Sequence, residues 1–261
     1  MSSLRILETF KEVFIFFINN FRKLYIYQLI YQLISSSLTI LFYKYDFSGS
    51  NLSLTIVGII ILIILLSILS SLWSIGYVFF VKDPNSKIFD VLKIGVKKLP
   101  GVLVILSLLS ALILLIPLLS LPLVFVNLNA FVIASFILIL FAIFLDIKLL
   151  FSIPIYLVEG KSIVHSLKES WVRVKWPFVG KYFLLTLLII VPLTLLYLLV
   201  SFVTYFFVMS LLNPYSTQEF SLDIIQLLYD TFMLPLIVIP YAVLLPIVYF
   251  KYLHKKEETS G

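Results

Sequence analysis

Cysteine is absent from all 261 residues, which excludes disulfides and thiolate metal sites. Histidine occurs only at His165 and His254, in charged surroundings and far apart. No His or carboxylate spacing matches a zinc or two-metal site. Charged residues make up 12% of the chain, against about 25% in soluble domains. So little charge cannot coat a water-soluble globule. A phosphate-binding loop is missing as well. Gly160-Lys161-Ser162 matches its last three positions, but Ile155 stands where the first glycine must be, so the backbone cradle cannot form. No cofactor is expected, and no catalytic residue is singled out.

What is present is apolar, 62% of residues, with a mean hydropathy of +1.17. A spanning helix needs about 20 such residues. Six segments qualify: Leu24–Tyr43, Leu52–Val81, Pro100–Val126, Ala130–Val158, Phe178–Leu212 and Ile224–Tyr252. Basic amphipathic stretches starting near Leu4, Ser86 and Lys161 each precede a pair of them. The expected fold is an all-α integral membrane protein, a single membrane domain over 1–261. It holds three repeats of interfacial helix plus transmembrane hairpin (1–82, 83–158 and 159–253) and a polar tail, 254–261.

Charge is distributed unevenly between the links. Apart from Lys44 and Lys148, the lysines and arginines, 17 of 19, fall on the side holding both termini and the links after the second and fourth segments. The positive-inside bias then makes both termini cytoplasmic in a multi-pass cell-membrane protein. The net charge of +6 and pI near 9.3 sit beside apolar spans, so anionic lipid is the expected partner and nucleic acid is not. Asn51-Leu52-Ser53 fits a glycosylation sequon on the other side, read as an unmodified loop.

The three stretches show helical apolar stripes against basic faces. Ile6, Leu7, Phe10, Val13, Phe14, Phe17 and Ile18 form the first, and Ile88, Val91, Leu92 and Gly95 the second, with Ser86 as a plausible N-cap. Ile163, Val164, Leu167 and Val174 form the third, with Trp171 and Trp176 suited to headgroup depth. Lys97, Lys98, Lys168, Arg173 and Lys175 are the candidate lipid-headgroup contacts.

Polar residues inside spans are functional candidates. Gln28 and Gln32 share a face at i, i+4; Asp146 and Lys148 lie toward the inner boundary, where Lys148 can snorkel. Asp230 lies just inside the other boundary. These five read as intramembrane polar contacts, with Gln28, Gln32, Asp146 and Asp230 alternatively the lining of a polar cavity. Prolines 117, 122, 192, 235, 240 and 246 favour kinks. Broken helices suit transporters, whose halves usually repeat with inverted topology. Here the repeats are parallel, and Pro117 and Pro122 lack the acidic-basic signature of mitochondrial carriers.

The segment Pro154-Ile-Tyr-Leu-Val-Glu159-Gly160-Lys161, continuing through Ser166-Leu-Lys168-Glu-Ser170-Trp171 to Lys175 and Phe178, resembles a known signature. It is that of a prokaryotic membrane-domain family named for the membrane segment of glycerophosphoryl diester phosphodiesterases. Glu159, Gly160, Ser170 and Trp171 are among the matching positions, whereas Trp176 stands where that family commonly has glycine. The resemblance implies a stand-alone membrane module and does not import the phosphodiesterase activity of the soluble domain found in fused members.

The function expected is non-catalytic: scaffolding or lipid interaction at the cytoplasmic leaflet, with a protein partner at that face as a further possibility. The alternative is a transporter or small channel for a hydrophobic or lipid-like solute. An intramembrane enzyme requires acidic residues and a histidine to converge.

Overall fold

A computed structural model describes residues 4–44, 52–125, 127–211 and 218–254; the side chains of 41–44, 52–55, 205, 207–211 and 218–230 fall outside what it describes. Asn51, and the side chain of Asp230, therefore lie outside the described set. No strand occurs among the described residues. Nine α-helices are described: α1 Ile6–Asn19, α2 Phe21–Lys44, α3 Leu52–Lys82, α4 Ile88–Leu118, α5 Leu128–Leu150, α6 Ser152–Glu159, α7 Ile163–Arg173, α8 Trp176–Leu211 and α9 Gln218–Val248.

Among the described residues, five stretches are long and apolar enough to cross a membrane: Ile56–Lys82, Ile88–Phe125, Leu128–Glu159, Trp176–Thr204 and Thr231–Leu253. The remaining expected crossing, Leu24–Tyr43, corresponds to α2. It has the length, but its described part carries Gln28, Gln32 and serines 35–37, and it is not among the five. The second basic stretch also departs from expectation. It is no separate interfacial helix, because α4 runs unbroken from Ile88 through Pro100 to Leu118. Residues 88–98 already have helical periodicity and nothing after them breaks it. A proline's ring clashes with the carbonyl four residues back, yet the helix continues past Pro100, tolerating the lost hydrogen bond.

Ser86 is not the cap either. Lys87 holds that position without a side-chain bond. The Ser86 hydroxyl instead donates to the Asp83 carbonyl (2.8 Å), and Asp83 Oδ1 accepts from the Asn85 amide (3.0 Å), closing the turn before α4. The fourth expected span is divided at Phe151 into α5 and α6.

Packing follows burial. Half of the most apolar window of α9 is buried, against 11–17% in the other four, so α9 is the central helix. It touches α1, α2, α3 and α8, and the contact between α2 and α9 joins the first helix of the bundle to the last. Outward faces are apolar, with Ile63, Leu115, Ile133 and Leu199 more than half exposed. Such a surface suits hydrocarbon and not water.

The joint between α2 and α3 is the most specific contact of the core. Tyr27 and Trp73 stack at 4.8 Å, Trp73 Nε1 donates to the Tyr27 carbonyl (2.8 Å), and the Tyr27 hydroxyl donates to the Trp73 carbonyl (3.3 Å). Both rings are buried, so each polar tip has found the partner that burial demands. Gly76 makes room for this pair, since a Cβ there would lie 2.0 Å from the Tyr27 hydroxyl. Gly76→Ala is expected to cost about 1–3 kcal/mol by overpacking. Gly180→Ala, where a Cβ meets open space, should be neutral or slightly stabilising. Unfolding midpoints in detergent for the two variants check this.

Candidate functional site

The charged ends of the helices gather at one end of the bundle. Lys23, at the start of α2, donates to the Pro84 carbonyl (2.7 Å) and to that of Ser86. Lys251, just past α9, pairs with Glu8 (3.0 Å) and Glu12 (2.6 Å) of α1, and the Thr9 hydroxyl meets that of Tyr252 at 2.9 Å. Lys98 of α4 lies over the Tyr156 ring of α6 at 5.3 Å from its centroid. All three basic stretches therefore occupy the same end.

At its centre is the elbow between α6 and α7. Gly160 adopts φ +68°, the left-handed conformation that ends a helix and that glycine alone takes without strain. Two residues later the Ser162 hydroxyl accepts from the His165 amide (3.4 Å) and caps α7. This turn folds Arg173 back onto Glu159. The guanidinium donates to both oxygens of Glu159, through Nη1 to Oε1 and Nη2 to Oε2 (2.9 Å), and through Nε to Glu169 Oε2 (2.7 Å). The Tyr249 hydroxyl donates to Glu159 Oε1 (2.8 Å), Lys161 lies 2.9 Å from Oε2, and His254 Nδ1 is 3.2 Å from the Tyr249 hydroxyl.

The hydrogen bonds that Arg173 donates to Glu159 hold its guanidinium pKa above the ordinary value. Burial pushes the Glu169 carboxyl up, but the hydrogen bond and charge of Arg173 outweigh it and leave the group below the usual glutamate range.

Two glutamates and two histidines do meet here, His165 lying 3.4 Å from Glu169. Their carboxylate oxygens are nonetheless engaged by Arg173, Lys161 and Tyr249. Among the described residues no group of three potential ligands is placed to hold a metal.

Arg173 is the main correction to the expected headgroup contacts. It is only 6% exposed, because its fixed fork finds two carboxylates and its charge is spent inside the protein. Lys97, Lys168 and Lys175 are exposed and Lys98 half-buried. Lys148 does not snorkel. It is buried, with its ammonium 4.0 Å from the Trp171 ring centroid and 4.6 Å from that of Trp176, and its carbonyl accepts from the Ser170 hydroxyl (2.7 Å). Glu159, Gly160, Ser170 and Trp171 thus each have a structural role: Glu159 anchors Arg173, Gly160 turns the chain, Ser170 docks α7 on α5, and Trp171 covers Lys148.

Three residues of the apolar stripes face outward: Leu7, Ile18 and Val164 are 78%, 67% and 77% exposed, and Phe89 of the second stretch is 76% exposed.

Deeper in the bundle is a cavity of about 280 Å³, with Gln28, Tyr31, Tyr77, Tyr182 and Tyr241 in its wall. Gln28 Oε1 accepts from the Tyr77 hydroxyl (2.6 Å). Gln32 and Asp146 are half-buried and do not line it.

No family model matches the chain, and no curated protein or solved structure is significantly similar to it.

Removing the guanidinium leaves Glu159 partly buried without its partner, so Arg173→Leu is expected to cost about 3–5 kcal/mol. The depressed carboxyl of Glu169 contributes stability that is present above the ordinary carboxylate range and is lost as pH falls through and below it. Thermal midpoints taken between pH 6 and pH 3 (roughly spanning ordinary carboxylate values) should fall, and fall less steeply in Glu169→Gln.

Proposed function

We propose that the chain is a non-catalytic membrane protein whose charged end binds the surface of an anionic leaflet. One observation carries the reading. Each amphipathic segment holds out an apolar side chain with a lysine four residues on: Leu7 with Lys11, Phe89 with Lys93, and Val164 with Lys168. All six are exposed, and residues at i, i+4 share a helix face. An apolar group beside a cation is the pattern that enters the headgroup boundary while the ammonium meets phosphate.

The carboxylates nearby reinforce it. Glu8 and Glu12 are committed to Lys251, and Glu159 and Glu169 to Arg173 and Lys161. Among the described residues Lys11, Lys93, Lys97, Lys168 and Lys175 have no carboxylate partner. Their charge remains available to lipid at about 1 kcal/mol each near the surface.

In this reading α2 is a sixth span, the helices form three hairpins, and the charged end is cytoplasmic, as the lysine and arginine bias supports. The resemblance to the phosphodiesterase-linked membrane family is part of the same proposal, supported by the elbow that its signature residues build. A second reading, a transporter for a hydrophobic or lipid-like solute, is favoured by the cavity at Gln28.

Charge reversal of Lys93, Lys97, Lys168 and Lys175 together should reduce anionic lipid retained on the purified protein at least tenfold, in a salt-dependent way. Unchanged retention sinks the surface reading. Because the chain has no cysteine, single cysteines at positions 97 and 175 report sidedness cleanly. Both should react only with reagent supplied from the cytoplasmic side.

A further inference from the structure

The cavity at Gln28 has a composition that selects its occupant. No charged side chain is among its lining residues. An ion or a charged headgroup placed there would lose hydration with nothing to replace it. The wall does hold neutral hydrogen-bonding groups. Gln28 is 2% exposed and accepts from Tyr77 through its oxygen, which leaves its amide NH2 as a donor at the wall. Tyr31 and Tyr241 bring hydroxyls. Pro246 lies in the wall with Ala242, and having no N–H it deprives the Ala242 carbonyl of its ordinary i+4 donor. The Gln28 amide and tyrosine hydroxyls therefore belong to residues bordering a space whose remaining wall, including Trp73, Leu106 and Ile153, is largely apolar.

The position fixes the route of entry. Gln28 lies five residues beyond Lys23 and Tyr77 five before Lys82, about 7.5 Å below the charged level at ~1.5 Å per residue. Ser70, Ser74 and Tyr241 of the wall are exposed on the flanks of membrane-spanning helices. The mouth consequently faces hydrocarbon, and whatever enters must already be dissolved in the bilayer. At about 30 Å³ per water-sized group, the volume of about 280 Å³ admits a small head and a short length of chain, with the rest of the chain left outside.

We propose that this cavity binds a neutral amphiphile, one aliphatic chain ending in a single hydroxyl or carbonyl group, taken up sideways from the membrane. This deepens the second reading as far as binding and is independent of anionic lipid at the charged end.

The full-length protein in nanodiscs is irradiated with one of three diazirine probes of equal chain length: a fatty alcohol, an alkane and a phosphatidylglycerol. Adducts are mapped by mass spectrometry. The alcohol should label residues 70–78 and 238–246 at least fivefold more than either other probe. Ser74→Trp, at an exposed position in the mouth, should reduce that labelling at least fivefold. Tyr241→Phe, also exposed, should lower alcohol labelling and leave the alkane unchanged. Gln28→Leu should do the same, and is read only where its thermal midpoint matches that of the parent. Equal labelling by alcohol and alkane, labelling indifferent to Ser74→Trp, or phosphatidylglycerol labelling the same segments as strongly would each overturn the proposal. None of these results alters the retention of anionic lipid, so the two readings fail separately.

Discussion

A guanidinium can leave water only when its planar fork finds acceptors on enough of its N–H groups, and Arg173 finds them on Glu159 and Glu169. Relative to a well-packed apolar substitute, such a buried pair adds little stability, because desolvation consumes most of the Coulomb gain. What it supplies is position. The three groups lie on α6 and α7, and through Tyr249 and the Leu253 carbonyl they take hold of the far end of α9. Since α1, α2, α3 and α8 pack on α9, fixing its end helps fix how they are arranged. The left-handed Gly160 is what allows the two helices carrying the pair to face each other.

The same commitment of charge shapes the outside. Carboxylates near the charged end would ordinarily offset the lysines there, but those of α1, α6 and α7 are drawn into internal pairs by Lys251, Lys161 and Arg173. The lysines of α4 and α7 are left without counter-charge in contact. Internal ion pairing and external electropositivity are thus one arrangement seen from two sides.

Hydrophobic run lengths made the helices and most of their bounds readable, because runs of about 20 or more apolar residues suit a spanning helix, whereas the strands of a closed barrel, the other form hydrocarbon permits, are about half that length. Periodicity alone could not show that residues 88–98 and the apolar run after them are one helix, since a proline at 100 ordinarily argues for a boundary. Nor could it distinguish which apolar residues of an amphipathic stripe turn inward: Phe10 and Leu7 belong to one stripe, yet Phe10 packs on the core and Leu7 is on the surface. Arg173 read as a headgroup contact because its partner Glu159 is 14 residues away, a separation that only the elbow closes. Lys148 read as a snorkelling residue for a similar reason. Its aromatic cover comes from α7 and the start of α8, and a basic residue flanked by Trp in space leaves no local spacing to find. The glycines were the overlooked signal, since Gly76 and Gly101 each lie where a Cβ would strike a tyrosine ring.

Polar groups within a bilayer persist only if another helix satisfies them or a cavity receives them, and this bundle does both around α2. Tyr27 is satisfied by the Trp73 backbone, and Tyr25 donates to the Phe232 carbonyl of α9 (3.1 Å). Gln28 is satisfied on one side only, by Tyr77. The polarity that sets α2 apart from the five apolar stretches is therefore spent in part at its contacts with α3 and α9. An apolar α2 would insert more readily, but it would leave the buried Tyr77 hydroxyl with no partner and take from Trp73 the ring it stacks on. The weak hydropathy of α2 is the requirement of its two neighbours expressed in its sequence.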